Sequence, residues 1–233
     1  CVSIKHNSIF PSFTILNKGD YNYELNIPIP FSLISNDYVK DELVVMPGYW
    51  FLYNFYALAR NAWKYQNRDN RKNIDQYFEY DYLAPDSVNE LMKGRDVIAL
   101  AVAKAQLLKE KKSTTINEDQ LIQLGHKLLT TKTKKEIDQL DVFVEGFENS
   151  KRRTRLIKCH DAFSMFEKMI FMYGMDQLLL KLTQNGMKNL PAKVKGVKTT
   201  GVAIEWSNIG GQLIPTKSVQ TLLQQIKSDK LNS

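Results

Sequence analysis

The sequence is poor in the residues and motifs that identify an enzyme. It has two cysteines and three histidines among 233 residues. It contains no metal-ligand spacing, no Walker-type phosphate loop and no GxGxxG segment. Cys159 and His160 are neighbours, but on a helix their side chains diverge by about 100°, so they make a poor nucleophile–base pair. No motif therefore names a reaction, and the cofactor is unknown.

Cysteine and long apolar runs are too sparse for a disulfide scaffold or a membrane span. Cys1 and Cys159 are far apart, so a reducing compartment is the default and a cytoplasmic location is expected. The richest apolar run, residues 44–59, is interrupted by Pro47 and Gly48. No secretory signal is visible. We expect no membrane partner.

Positive charge exceeds negative charge. Thirty-two Lys and Arg residues stand against 25 Asp and Glu residues, which gives a formal net charge of +7. An anionic partner would fit this excess, although surplus lysine also simply solvates exposed helices. Nucleic acid is not an expected partner, because no recognised binding module occurs and acidic residues are mixed with the basic ones.

The pattern predicts a mainly α chain in three parts. Residues 1–46 read as an extended tail, in which Ile27-Pro28-Ile29-Pro30 cannot be a central strand because proline removes donors. Residues 47–190 read as a helical domain, and residues 191–233 as a small strand-plus-helix appendage. The predicted helices begin at Pro47, Pro85, Asn117, Thr133, Ser150 and Pro215, the first reaching Lys72 and the fifth reaching about Leu182.

The first predicted helix, 47–72, carries an apolar arc and a polar arc. The apolar arc consists of Phe51, Leu52, Phe55, Leu58, Ala59, Ala62 and Trp63. The opposite arc holds Tyr49, Tyr53, Arg60, Lys64, Asn67 and Arg71, with Arg68 at its edge. Aromatic residues interleaved with cations are typical of surfaces that bind nucleic acids and sugar phosphates. The alternative is a second buried face, since a tyrosine at a packed interface needs no ligand.

Three more arginines interrupt apolar stripes on predicted helices. Arg95 shares the stripe of the helix that begins at Pro85, and Arg152 and Arg155 continue the Cys159 arc of the longest helix. Burying arginine is costly without a partner. Internal pairing is one explanation, with Glu148 four residues before Arg152. The other is a phosphate or carboxylate site on which these arginines converge with Arg60 and Lys64.

Long segments of the chain resemble a family of large bacterial proteins. The segments are CVSIKHNSIFPSFTILNKGDYNYELNIPIPFSLISND, MPGYWFLYNFYALARNAWKYQNRDNR, YDYLAPDSVNE, EGFENSKRR and WSNIGGQLIP. In that uncharacterised family a left-handed β-helix of hexapeptide repeats, similar to that of sugar-nucleotide acyltransferases and nucleotidyltransferases, precedes a helical region. The resemblance implies that this chain is a fragment and that residues 1–46 are the last β-helix coils. Hexapeptide acyltransferases commonly use a histidine base on the β-helix, and His6 alone could take that place here.

Two classes of function follow from the resemblance. In the first, the whole protein is a transferase acting on a sugar nucleotide or an acyl donor, and this region binds the phosphorylated or carboxylated substrate. The ligand would be a sugar phosphate, a nucleotide sugar or an acyl donor. In the second, the region is a non-catalytic module that builds a homo-oligomer of a β-helix scaffold. The candidate residues are His6 for catalysis and, for anion binding, Arg60, Lys64, Arg68, Arg71, Arg95, Arg152 and Arg155.

Overall fold

The computed structural model describes residues 1–72, 78–113, 116–184, 205–209 and 212–228. The strands in this part of the chain are β1 (Val2–Ser3), β2 (Ile15–Leu16), β3 (Gly19–Asp20), β4 (Leu33–Asp37), β5 (Glu42–Met46), β6 (Phe143–Val144), β7 (Arg153–Leu156), β8 (Trp206–Ile209) and β9 (Gln212–Pro215). The helices are α1 (Tyr49–Tyr53), α2 (Phe55–Arg68), α3 (Pro85–Lys109), α4 (Glu118–Thr131), α5 (Lys134–Asp138), α6 (Cys159–Gln184) and α7 (Thr216–Lys227).

The N-terminal segment 1–34 winds as two successive turns that pair in parallel. Val2 lies beside Gly19, Ile9 beside Asn26, and Ile15 beside Leu33. Backbone bonds run in both directions between the two turns, with Ile9 N donating to Leu25 O at 2.7 Å and Ile27 N donating to Ile9 O at 3.0 Å. The two residues of each pair are 17 or 18 positions apart in the sequence. The two turns therefore pair in a nearly constant register along their length.

The second turn is buried and the first is half open. Tyr21, Leu25, Ile27 and Ile29 are each at most 2% exposed. In the first turn, Ile4 is the counterpart of Tyr21 in the register of β1 and β3, and it is 48% exposed. The two turns also meet through aromatic rings at a corner. Phe13 and Phe31 both have positive φ, and their rings stack with centroids 4.7 Å apart.

The prediction of a mainly α chain with an extended N-terminal tail is wrong. Within residues 1–46, β1 and β3 form a two-stranded sheet, and β2, β4 and β5 belong to a five-stranded mixed sheet in the order β2-β4-β5-β7-β6. β5 pairs in parallel with β7, which lies much later in the chain, and Glu42 stands opposite Arg153. The described chain is therefore a mixed α and β structure. Propensity and proline content could not reveal this pairing, because a strand that borrows a distant partner carries no local signal of it.

The helix predicted from Ser150 is also wrong at its start. Residues 153–156 form β7, and α6 begins at Cys159. Residues 153–156 form a strand in which Thr154 and Leu156 are buried and Arg153 and Arg155 are not. This alternation has a period of two residues, which is typical of a strand and which the helical interpretation missed. In the described residues, neither α6 nor any other helix is long and apolar enough to cross a membrane.

The single helix predicted over 47–72 is broken into α1 and α2. Asn54 leaves the helical region with φ −138° and ψ 25°, while its N–H donates to Trp50 O at 3.0 Å. Its carbonyl accepts from Ala57 N, so it closes one helix and opens the next. Asparagine has a low helix propensity, which suits such a junction, and its side chain makes no capping hydrogen bond to α2.

The helix starts at Pro85, Asn117, Thr133 and Pro215 are confirmed. Pro85 occupies the first turn of α3, where a missing N–H costs nothing. Thr133 and Glu136 form a reciprocal capping box on α5. The strand predicted over 202–206 lies mostly outside the described residues, as does the stop predicted at Asn185-Gly186. The division into 1–46, 47–190 and 191–233 remains a prediction.

One aromatic cluster joins the N-terminal turns to the helices. Phe31 contacts Phe51 of α1 at 4.4 Å between ring centroids, and Phe51 meets Phe166 of α6 edge to face at 6.4 Å. α3 lies against the same cluster through Gly94, where a β-carbon would stand 2.9 Å from Pro30. The proline-containing segment Ile27-Pro28-Ile29-Pro30 is thus packed against helices. Where the helices cover it, it pairs with no further strand among the described residues.

α4 packs closely against α3 at Gly125. A β-carbon there would lie 1.9 Å from the carbonyl oxygen of Ala99 in α3. We expect Gly125→Ala to lower the free energy of unfolding by about 1–3 kcal/mol or more, because backbone must move apart. The matched control is Gly174→Ala in α6, where nothing lies within 4 Å. That change should stabilise by about 0.5–1 kcal/mol. Urea unfolding measures both, and equal effects would contradict the packing.

Candidate functional site

α2 is mostly exposed, and its outward surface carries the predicted cations. Leu58 is its one buried residue. Trp63, predicted in the apolar arc, is 62% exposed. The apolar stripe is short because α2 contacts the core near its start and then runs along the surface. A helix whose packing is this limited leaves most of its side chains available to a ligand.

Arg60, Lys64 and Arg68 form a row along α2, which we call the cation row. They follow one another at i+4 spacing and therefore lie on one side of the helix. None of the three makes an ion pair with a carboxylate in the part of the chain that the structure describes. The charge of Arg60 lowers the pKa of Lys64, with desolvation and then Arg68 adding to this shift. The row is thus a concentration of unneutralised positive charge.

A cleft of about 630 Å³, the α2 pocket, opens beside the cation row. Its lining consists of Asn61, Lys64, Tyr65, Arg68, Asp69, Arg71 and Phe78. Tyr65, one of the two aromatic residues of the lining, stacks on Tyr80 with ring centroids 5.1 Å apart. Sequence reasoning missed Tyr65, Phe78 and Tyr80 as site residues. The aromatic, acidic stretch IDQYFEYDYL (74–83) was the signal that could have suggested them.

Arg71 is the one predicted cation of this surface that has a carboxylate partner among the described residues. Its guanidinium donates to Asp69 at 2.8 and 2.6 Å and to the hydroxyl of Tyr65 at 3.2 Å. It also lies 4.8 Å from the ring centroid of Phe78. These hydrogen bonds hold the pKa of Asp69 at about 2. Asp69 and Arg71 therefore neutralise each other at one end of the α2 pocket. The cation row beside the pocket has no such carboxylate partner among the described residues.

Arg152 is an internal partner of Glu148, the structural alternative raised by the sequence. Its Nε donates to Glu148 at 2.9 Å and a second nitrogen contacts the other carboxylate oxygen. The same guanidinium reaches Asp41 and Asn36 at 3.3 and 3.1 Å. The side chain of Glu148 is fully buried. These bonds raise the pKa of Arg152, chiefly through Glu148.

Arg155 belongs to a different group, centred on Glu42. Its Nε donates to Glu42 at 2.9 Å, and its other arm contacts Asp141 at 2.7 Å. Arg153 approaches the same Glu42 at 2.6 Å. Glu42 is 1% exposed, and its pKa is lowered mainly by the hydrogen bond from Arg155. Sequence reasoning missed Glu42 and Arg153, because the pairing across β5 and β7 was not foreseen.

Arg95 lies in a third group, between α3, α4 and α6. It donates to Glu167 at 2.7 Å and to Asp96 at 3.3 Å, and His126 lies 2.8 Å from the same Asp96. Arg95, Arg152 and Arg155 share no carboxylate among the described residues. The structure therefore holds them in separate ion-pair groups and does not assemble them with Arg60 and Lys64 into one site.

The remaining candidates are His6 and Cys159. His6 is exposed in a turn after β1, next to Asn7 with φ 60°. Cys159 is buried at the start of α6, and burial, with a contribution from Asp138, raises its thiol pKa to about 12. Cys159 is 3% exposed and packs in the core, the environment of an inert structural cysteine. Within the described ranges no group of three potential ligand side chains could hold a metal ion.

Comparison with known proteins finds a bacterial relative without an assigned activity. An uncharacterised protein of Treponema pallidum (strain Nichols) is 32% identical over 231 residues, which cover 99% of this chain. The chain spans 30% of that protein's length. No family model matches the chain. No solved structure matches it.

Arg152 provides a test of internal pairing against ligand binding. Arg152→Met strands the buried carboxylate of Glu148, so we expect a loss of roughly 3–5 kcal/mol in the free energy of unfolding. The loss should be the same with and without added phosphate. Arg153→Met is the control, because its side chain is 65% exposed and Glu42 keeps Arg155. It should cost at most about 1 kcal/mol. A small loss for Arg152→Met that grows in phosphate would contradict the pairing.

Proposed function

We propose that the cation row binds the phosphate or carboxylate group of a ligand. The observation that carries this proposal is that Arg60, Lys64 and Arg68 stand together without an ion pair to any described carboxylate, whereas Arg95, Arg152 and Arg155 each have one. Like charges at i+4 spacing destabilise a helix. A bound anion removes that repulsion, and arginine and lysine are the side chains that bind phosphates and carboxylates.

The α2 pocket supports a ligand larger than a single anionic group. The cleft offers the rings of Tyr65 and Phe78 beside Lys64 and Arg68, so an apolar or planar moiety can lie against the wall while its anion meets the cations. Such a ligand matches the sugar phosphates, nucleotide sugars and acyl donors implied by the resemblance. In the whole protein, this region would then hold the substrate of a transferase.

Binding of pyrophosphate to the folded chain tests the proposal. We expect calorimetry to detect binding, and Lys64→Gln and Arg68→Gln to weaken it about tenfold or more each, the effect of losing a charged hydrogen bond. Lys127→Gln is the control, because Lys127 is an exposed cation on α4 without an ion pair among the described residues. Pyrophosphate affinity that is equal in all four proteins, or absent from the parent, would overturn the proposal.

We also propose that residues 1–34 are coils of a β-helix. The supporting observation is the parallel pairing on three sides at nearly constant intervals, Val2 with Gly19, Ile9 with Asn26 and Ile15 with Leu33. Coils of three strands, each about six residues long, produce such intervals. The stacked, positive-φ corners at Phe13 and Phe31 recur at the interval that separates Ile15 from Leu33, as equivalent corners of neighbouring coils would. β4 pairs in parallel with β2 on one edge and antiparallel with β5 on the other. The parallel pairing of coils would therefore stop at β4.

A structure of the full-length Treponema relative tests this second proposal. We expect the segment matching residues 1–16 to pair in parallel with a further coil. The physical reason is that Ile4 and Phe13 are 48% and 38% exposed, although their counterparts in the second turn, Tyr21 and Phe31, are buried. If that segment is instead covered by helices or left in solvent, the β-helix assignment fails.

The alternative function, assembly of an oligomer, has one specific observation in its favour. α7 has a strongly amphipathic sequence but no buried residue, and Leu222, Leu223 and Ile226 are each about half exposed. A second copy of this face would cover them. Sedimentation velocity on the calorimetry samples separates the two functions, because self-association that Leu222→Gln abolishes while pyrophosphate binding is absent would favour assembly.

A further inference from the structure

The described lining of the α2 pocket has a cationic part and an aromatic part. Lys64 and Arg68 lie one turn apart on α2, about 6 Å along the helix axis. Phe78 lies beyond them, because its ring is 4.8 Å from the guanidinium of Arg71, which follows the end of α2. The cations therefore stand along the helix, and the aromatic ring stands at its C-terminal end.

Two cations of this lining have no described carboxylate to neutralise them. Asp69 and Arg71 bind each other at 2.6 Å, so their charges cancel. Lys64 and Arg68 make no ion pair in the part of the chain that the structure describes. A single carboxylate carries one negative charge and would neutralise only one of them. Two linked phosphates would neutralise both, because each phosphate can accept hydrogen bonds from one cation.

The aromatic part of the lining suits a flat group. The Arg71 guanidinium lies over the Phe78 ring, which is still 46% exposed. Tyr65 stacks on Tyr80, and its hydroxyl accepts a hydrogen bond from Arg71 at 3.2 Å. These contacts hold the rings without a ligand, so a group that stacks on Phe78 would not have to order them first. The cleft volume of about 630 Å³ lies in the range of about 300–1,000 Å³ that is typical of small-molecule sites.

We propose that the α2 pocket binds a nucleoside diphosphate, with its base on Phe78 and its phosphates on Lys64 and Arg68. The inference rests on the proposed function, since it assigns a ligand class to the same cations. A base has a flat face that stacks on an aromatic ring. The phosphate nearer the base meets Arg68, because Arg68 is nearer than Lys64 to the end of α2 at which Phe78 lies. Asn61 lines the same cleft three residues before Lys64, and its amide donates to the terminal phosphate.

Calorimetry with ADP and with pyrophosphate tests the inference on the folded chain. Both ligands carry linked phosphates, but only ADP carries a base. We expect ADP to bind roughly tenfold more tightly, which is the effect of stacking one base on a ring. Phe78→Ala should remove this advantage and leave pyrophosphate affinity unchanged, whereas Phe78→Tyr should retain the advantage because a ring remains. Trp63→Ala is the matched control and should change neither affinity, because Trp63 is an exposed ring of α2 outside the described lining of the cleft.

The outcomes separate this inference from the proposed function. If ADP and pyrophosphate bind equally tightly, the nucleoside assignment is overturned and the anion site stands. Glucose 1-phosphate, which has a sugar and one phosphate but no base, should bind more weakly than ADP, and equal or tighter binding would overturn the inference in favour of a sugar phosphate. A loss of ADP affinity in Trp63→Ala as large as in Phe78→Ala would place the base outside the cleft and overturn it too. If neither ADP nor pyrophosphate binds, both proposals fail. Melting temperatures near that of the parent show that the variants are folded.

Discussion

The structure depends on a carboxylate that is buried where distant parts of the chain meet. Glu42 is 1% exposed and lies on β5 opposite Arg153 of β7. An isolated carboxylate in such a place would be too costly to bury, and Arg155 is the cation that chiefly neutralises it, with the more exposed Arg153 approaching from the surface. Glu148 imposes the same condition on Arg152, which also reaches Asp41. These ion pairs link the N-terminal segment 1–46 to the segment 141–156 and fix the register of the parallel pair between them.

The paired arginines and the cation row differ in what they contact. Arg152 and Arg155 point at carboxylates that the fold itself buries. Arg60 and Arg68 extend from a helix with a single buried residue and meet no described carboxylate. The charge of Arg60, then desolvation and Arg68, lower the pKa of Lys64, and like charges at i+4 spacing are mildly destabilising in a helix. The proposal of an anion site rests on this exposed row of cations without described carboxylate partners.

The N-terminal turns form the support on which α1 and α2 are held. Parallel pairing at nearly constant intervals builds a regular base, which the aromatic chain Phe31, Phe51 and Phe166 joins to α1 and α6. α1 is thereby fixed, and the break at Asn54 redirects the following helix along the surface. The cation row and the α2 pocket are consequently presented by an exposed element on a packed support.

The sequence by itself determined where several helices begin and which cations share one face of α2. Capping residues and proline placed the starts of α3, α5 and α7, because these signals act within one helical turn. Helical spacing placed Arg60, Lys64 and Arg68 on one face. Only the tertiary structure decided that residues 153–156 are a strand, that Glu42 is buried beside Arg155 and that Trp63 faces outward. Those outcomes depend on which distant segments meet, and no spacing within a short window contains that information.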